Sequence, residues 1–158
     1  METEVRILMQ KNAWPYVAGI LDGEGTICAT IYEHHGATER RLEIQISNTN
    51  VELMKWLLGN FGGRFDSRYK NTGFGKDSRR TLFTWRLSGN KNKERFLLGA
   101  LPHLIIKRKQ ATLALQWVRI IGQDPELRTE IAKQLRLLNL GESTPTTNTS
   151  NISDSQSL

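Results

Sequence analysis

WPYVAGILDGEGT, residues 14–26, begins as a helix and stops on two carboxylates, Asp22 and Glu24, each followed by a glycine. Asn12 is a suitable N-cap, and Pro15 is tolerated in a first turn, so the pattern predicts a helix over 12–22 ended by Gly23 and Gly25. Ala18 and Gly19 are small enough for a second helix to approach the backbone closely. An isolated Asp-Gly-Glu-Gly is ordinarily a loop. What flanks it decides how it should be read.

Downstream, TICATIY (26–32) and RLEIQIS (41–47) alternate apolar and polar residues, the period of half-buried strands, with EHHGATER (33–40) as the turn of a hairpin. Asn48-Thr49-Asn50 caps a helix over about 51–60 with Leu53, Met54, Leu57 and Leu58 inward, and Phe61-Gly62-Gly63 breaks it. RFDSRYK (64–70) and RTLFTWRLS (80–88) form a second strand pair across a Gly- and Asn-containing loop at 71–79. In RTLFTWRLS, Phe83, Trp85 and Leu87 point inward and Arg80, Leu82, Thr84 and Arg86 outward. Helices are expected near 91–99, from Leu101 or His103 to Ile121, and from Asp124-Pro125 to Leu138. The fold class is α+β: an αββαββα core with further helix after it, and a four-stranded antiparallel sheet with helices on one face. Residues 1–138 form one domain. Residues 139–158, rich in Ser, Thr and Asn, form a flexible tail that cannot bury enough surface to order itself.

Charge separates along the chain. Residues 64–109 carry 13 Lys/Arg against 3 Asp/Glu, net +10; with +6 overall, the remainder is −4. A basic middle implies a polyanionic partner, most simply nucleic acid. The outward strand positions are Cys28, Thr30, Tyr32, Arg41, Glu43, Gln45, Arg64, Arg68, Lys70, Arg80, Thr84 and Arg86. Arg and Gln are the side chains that read guanine and adenine edges in the major groove, and an antiparallel ribbon fits that groove. The one cysteine, Cys28, permits no internal disulfide and suits a reducing, intracellular setting. No apolar run nears the roughly 20 residues of a membrane span, so no membrane partner is expected. His34, His35 and His103 lack zinc-ligand spacing, and Trp56, Trp85 and Trp117 suit a core.

Val17-Ala18-Gly19-Ile20-Leu21-Asp22-Gly23-Glu24-Gly25 resembles the LAGLIDADG motif of homing endonucleases. Ile46-Ser47-Asn48-Thr49-Asn50 is similar to that family's segment after strand two, and Leu101-Pro102-His103-Leu104 with Lys107-Arg108-Lys109-Gln110-Ala111 to its lysine-bearing segment. The resemblance covers about residues 12–121. It implies a single-motif homodimer that hydrolyses both strands of a long, near-palindromic duplex target. It also implies Glu24 and the Gly23 carbonyl as metal ligands, Glu24, Asn48 and Lys107 as catalytic residues, and an interface at Ala18, Gly19 and Asp22. The implied cofactor is Mg²⁺, with Mn²⁺ substituting and Ca²⁺ supporting binding without efficient cleavage. Asp22 is expected to accept hydrogen bonds near the helix junction. The motif ends on Glu where Asp is commoner, and Lys55 is the basic residue nearest to Asn48 on the following helix. An intron-encoded origin fits the family. The rival reading on the same fold is a non-catalytic maturase binding intron RNA, or a DNA-binding protein.

Overall fold

A computed structural model describes residues 2–71, 79–120 and 124–141, with side chains placed over 13–68, 81–120 and 124–141. The element order is α1 (Glu2–Glu24), β1 (Gly25–His34), β2 (Ala37–Asn48), α2 (Val51–Phe61), β3 (Arg64–Asn71), β4 (Arg79–Arg86) and α3 (Asn90–Ala100). A 3₁₀ turn (Leu101–His103), α4 (Arg108–Arg119) and α5 (Pro125–Asn139) complete it. Of the loop expected at 71–79 and the tail expected at 139–158, residues 72–78 and 142–158 lie outside the described residues, while Asn71 and Arg79 are strand and Asn139 ends α5.

The strands form one antiparallel sheet in the order β1-β2-β4-β3. Its inner face presents Ile27, Ile44, Ile46 and Trp85, all fully buried, to Val17 and Leu21 of α1, Met54 and Leu57 of α2, and Phe96 and Leu97 of α3. Burying each such side chain contributes roughly 1.5–3 kcal/mol. Ile131 and Leu135 of α5 join the same core, while Trp117 of α4 closes it at 4% exposure.

Several boundaries differ from the sequence-based expectation. α1 starts at Glu2, so Asn12 does not cap it and Pro15 lies inside. The preceding ETEVRILMQK consists mostly of good helix formers, and the helix runs on through Pro15 at the cost of a backbone hydrogen bond. The α1–β1 junction has no loop: Gly23 and Glu24 are still helical and Gly25 opens the strand. A Cβ on Gly25 would sit 2.3 Å from Leu21 Cδ1 and 2.7 Å from the Leu21 carbonyl oxygen, so only glycine lets the chain leave the helix this sharply. The first hairpin turns on two residues, not eight. His35 (φ 50°) and Gly36 (φ 79°) have positive φ, as a type I′ turn requires, and the strands pair up to His34–Ala37.

Asn50, as expected, caps α2, its side chain accepting from Glu52 and Leu53 N–H. Leu58, expected inward, is 40% exposed, because α2 buries only its Met54–Leu57 stripe. β4 ends at Arg86 rather than Ser88. Leu87 bends away with its N–H on the Ile44 carbonyl (3.1 Å). The helix expected from about residue 101 begins only at Arg108, after the 3₁₀ turn at Pro102 and a bend that leaves Lys107 at the N-cap position. Asp124, as expected, opens the last helix, its side chain accepting from Leu127 N–H. That helix runs one residue past the expected limit, and Asn139 Nδ2 donates to the Ile27 carbonyl (3.0 Å), tying it to β1.

Candidate active site and nucleic-acid face

Strand register puts the outward residues on one surface. Thr26, Cys28, Thr30 and Tyr32 of β1 oppose Gln45, Glu43, Arg41 and Glu39 of β2. Gln45 pairs with Arg86, and Arg64, Asp66, Arg68 and Lys70 pair with Arg86, Thr84, Leu82 and Arg80. All twelve expected contact positions therefore share this face by backbone register; the Lys70 and Arg80 side chains lie outside those described. The face is braced internally. Arg41 binds Glu39 (2.8 Å) and lies over the Tyr32 ring (5.8 Å), and Arg86 binds Asp66 (2.6 Å). Such solvent-facing pairs are worth about 0–1 kcal/mol. Thr84 differs from the outward-pointing expectation in one respect. On central strand β4 it is only 7% exposed, hydrogen-bonded to the Ser47 hydroxyl (3.0 Å), so its neighbours cover it. The Cys28 thiol is pushed above its usual range by burial and by Glu43 across the strand pair.

At the head of the sheet, α1 delivers Glu24 exposed to solvent. Asn48 Nδ2 donates to Glu24 Oε2, while Asn48 Oδ1 accepts from Asn50 N–H (2.8 Å), so the cap segment of α2 aims Asn48 at the acid. Lys107 Nζ donates to the Asp22 backbone carbonyl. The Asp22 carboxylate accepts N–H bonds from Ile105 and Lys107, both 2.8 Å, and so fastens the 104–107 bend to the end of α1. Burial works to raise the Asp22 carboxyl, but the amides of Ile105, Lys107 and Ile106 outweigh it and hold it below its ordinary value. Glu24, Asn48 and Lys107, far apart in sequence, thus meet at the last turn of α1, Asn48 on the Glu24 carboxylate and Lys107 on the Asp22 carbonyl. Lys55 is paired with Glu52 (2.7 Å) on the exposed side of α2.

The expected small-residue face needs one correction. Ala18 is fully buried in the chain's own core beside Val17 and Leu21. One residue on, about 100° around the helix, Gly19 is exposed, and a Cβ on Gly19 or Gly23 would meet nothing within 4 Å. A shallow groove lined by Tyr16, Gly19, Ile20, Gly23, Glu24 and Asn48 runs along this open side. A glycine at the end of a helical pattern signals a terminator, so the sequence gives no sign that Gly23 stays helical and exposed on this side.

Among the described residues no three His, Cys, Asp or Glu side chains cluster as a metal site, and no helix is long and apolar enough to cross a membrane.

No protein-family model matches the chain, and no curated protein matches it in sequence. Solved structures do match. The homing endonuclease I-CvuI, in complex with its target in the presence of Ca, superposes at a TM-score of 0.67 with 21% identity over 90% of this chain and 89% of its own. The homing endonuclease I-TnaI gives 0.59 and 14% over 84% and 89%. The LAGLIDADG homing endonuclease I-LtrWI, bound to target DNA, gives 0.57 and 16% over 82% of this chain but 43% of its own. This chain, a helix–hairpin–helix–hairpin order with further helices after it, has the fold of these homing endonuclease structures.

Proposed function

We propose that the chain is a homodimeric, divalent-metal-dependent endonuclease that hydrolyses both strands of a long, near-palindromic DNA site. The observation that carries this reading is Glu24. It is an exposed carboxylate aimed by Asn48, at the point where a bare glycine helix face meets a polar, Arg-rich sheet face. Glycine inside a helix costs about 1 kcal/mol relative to alanine, and among the described residues nothing lies within 4 Å of a Cβ built on Gly19 or Gly23. A second α1 packed there recovers that cost by close backbone approach. It also brings two Glu24 side chains together beneath two adjoining sheet faces. Length supports the pairing: the chain matches most of I-CvuI but less than half of I-LtrWI, which is long enough to hold two such units.

The donor set of one chain is the Glu24 carboxylate and the Gly23 carbonyl, all oxygen. It suits a hard cation that keeps several waters and shares phosphate oxygens, namely Mg²⁺, with Mn²⁺ as substitute and Ca²⁺ as a binding-only replacement. When bound, such an ion lowers the pKa of a water and neutralises charge on the phosphate. The chain's own residues do the rest. Asn48 fixes the Glu24 rotamer. Lys107, seated on the Asp22 carbonyl, offers its ammonium to the charge that develops on the phosphate. The sheet faces of two copies, side by side, span roughly two helical turns and set register through the phosphates and specificity through base edges.

Purified protein incubated with a randomised duplex library tests this, with Mg²⁺ and Ca²⁺ in parallel and cut ends sequenced. The expected result is one long, near-palindromic site cut with Mg²⁺ alone. Enrichment of bound duplex in both metals without cut ends would refute catalysis and leave a binding protein.

A further inference from the structure

β4 pairs with β2 only from Gln45 to Asn48. Beyond Ile44, β2 continues to Ala37 with its β4-facing edge unpaired, and the sheet splays. Under the splay lies a cleft of about 350 Å³ lined by Arg40, Arg41, Arg64, Arg86, Lys93 and Arg128, with Glu43 its one carboxylate. Arg41 and Arg86 have carboxylate partners on the outer face. Among the described residues, the other four do not. Arg40 Nε donates to the Thr129 hydroxyl (3.3 Å), and Lys93 Nζ to the Leu42 carbonyl on the open edge of β2 (2.7 Å). Arg128 lies over the Trp117 ring (5.7 Å), its Nε buried without a hydrogen-bond partner. Burial also pushes the Lys93 ammonium below its usual range, with Glu43 opposing.

Gathering cations in a partly desolvated cleft is unfavourable unless an anion shares it. Guanidinium forks match phosphate oxygens bidentately, and an ammonium adds a point charge. We propose that this cleft is a phosphate-binding site that takes a backbone phosphodiester of the duplex lying on the sheet. The source follows from the mouth of the cleft. Arg41, Glu43, Arg64 and Arg86 also belong to the outer face, whereas Arg40, Lys93 and Arg128 reach it from below. A strand crossing the outer face therefore passes over the opening. The proposal rests on the reading of that face as a nucleic-acid surface, but not on cleavage.

The test compares the wild-type chain with Lys93→Gln/Arg128→Gln for binding to random-sequence duplexes of about 30 base pairs, between about 50 and 200 mM salt. One phosphate contact contributes about 0.9 to the slope of log affinity against log salt, so the slope should fall by about 1, equally for every sequence. An unchanged slope in a double variant with the wild-type circular dichroism spectrum overturns the proposal. If that variant unfolds, the milder Arg40→Gln carries the same slope criterion. In parallel, inorganic phosphate is added to the DNA-free protein while the Arg128 Nε–H resonance is followed. A saturable shift supports the site and no shift overturns it. A shift combined with an unchanged DNA slope makes the occupant a free anion and overturns the backbone assignment. Wild-type protein that binds no duplex refutes the reading of the outer face, and the source drawn from it, while the phosphate titration still decides the cleft.

Discussion

Asp22→Asn isolates one long-range tie. The native carboxylate takes two amide donors, Ile105 and Lys107, one on each oxygen at 2.8 Å. Asparagine keeps one acceptor and turns an NH₂ toward the other amide, so one bond becomes a donor–donor contact. A hydrogen bond to a charged group is worth about 1.5–3 kcal/mol. Asp22 is partly exposed, so water recovers some of the loss, and about 1–2 kcal/mol remains. The bend is otherwise held by buried Leu104 and by the Lys107 Nζ and Arg108 Nε bonds to the Asp22 and Leu104 carbonyls, while Ile105 and Ile106 are 86% and 68% exposed. At this chain length that loss lowers Tm by about 2–8 °C. The effect depends on pH. A carboxyl held below its ordinary value in the fold stabilises fully above its unfolded pKa of about 3.9, and that stabilisation is lost as pH falls through the lower folded value. Melting curves from pH 7 down to about pH 3 should show wild type and variant converging below about pH 4. No Tm difference at pH 7, or a gap that persists undiminished in acid, would refute the reasoning. Cleavage gives a second readout: the bend that carries Lys107 loses one of its two amide ties to Asp22, so kcat should fall more than binding.

Four further variants have expected outcomes. Glu24→Gln should abolish cleavage while duplex affinity stays within a few-fold, measured by gel cleavage and anisotropy side by side; surviving cleavage removes Glu24 from the metal site. Gly19→Leu should dissociate the dimer in sedimentation velocity with the chain's own Tm little changed, because a Cβ there meets nothing within 4 Å. Ala18→Leu should instead overpack the core and lose about 1–3 kcal/mol of unfolding free energy; if the two variants exchange these phenotypes, the assignment of helix faces is wrong. Gly63→Ala should cost more than about 1 kcal/mol by urea denaturation, since φ is 87° and the added Cβ would lie 2.4 Å from the Arg86 carbonyl oxygen; an unaffected midpoint would contradict that contact.

Much of this architecture could be read before any coordinates, because the relevant physics is local. Period-two alternation fixed which residues of β1 to β4 share a face, and pairing register keeps them together. Asn50 and Asp124 announced helix starts because a cap acts within three residues. Other features depend on partners that local patterns do not name. Whether Ala18 or Gly19 faces the core depends on which side of α1 meets the sheet and α3. Thr84 looks outward by parity, yet is covered because β4 lies between β2 and β3, a strand order that alternation leaves open. The Asp22 bonds span 83 and 85 residues. The basic cleft exists only because β4 leaves β2 after four pairs, bringing Arg40, Lys93 and Arg128 from three elements to one opening. Hydrogen-bond reach and side-chain period act along a few residues and are written in the chain's order. Strand order, helix facing and the meeting of distant charges come from packing every element at once.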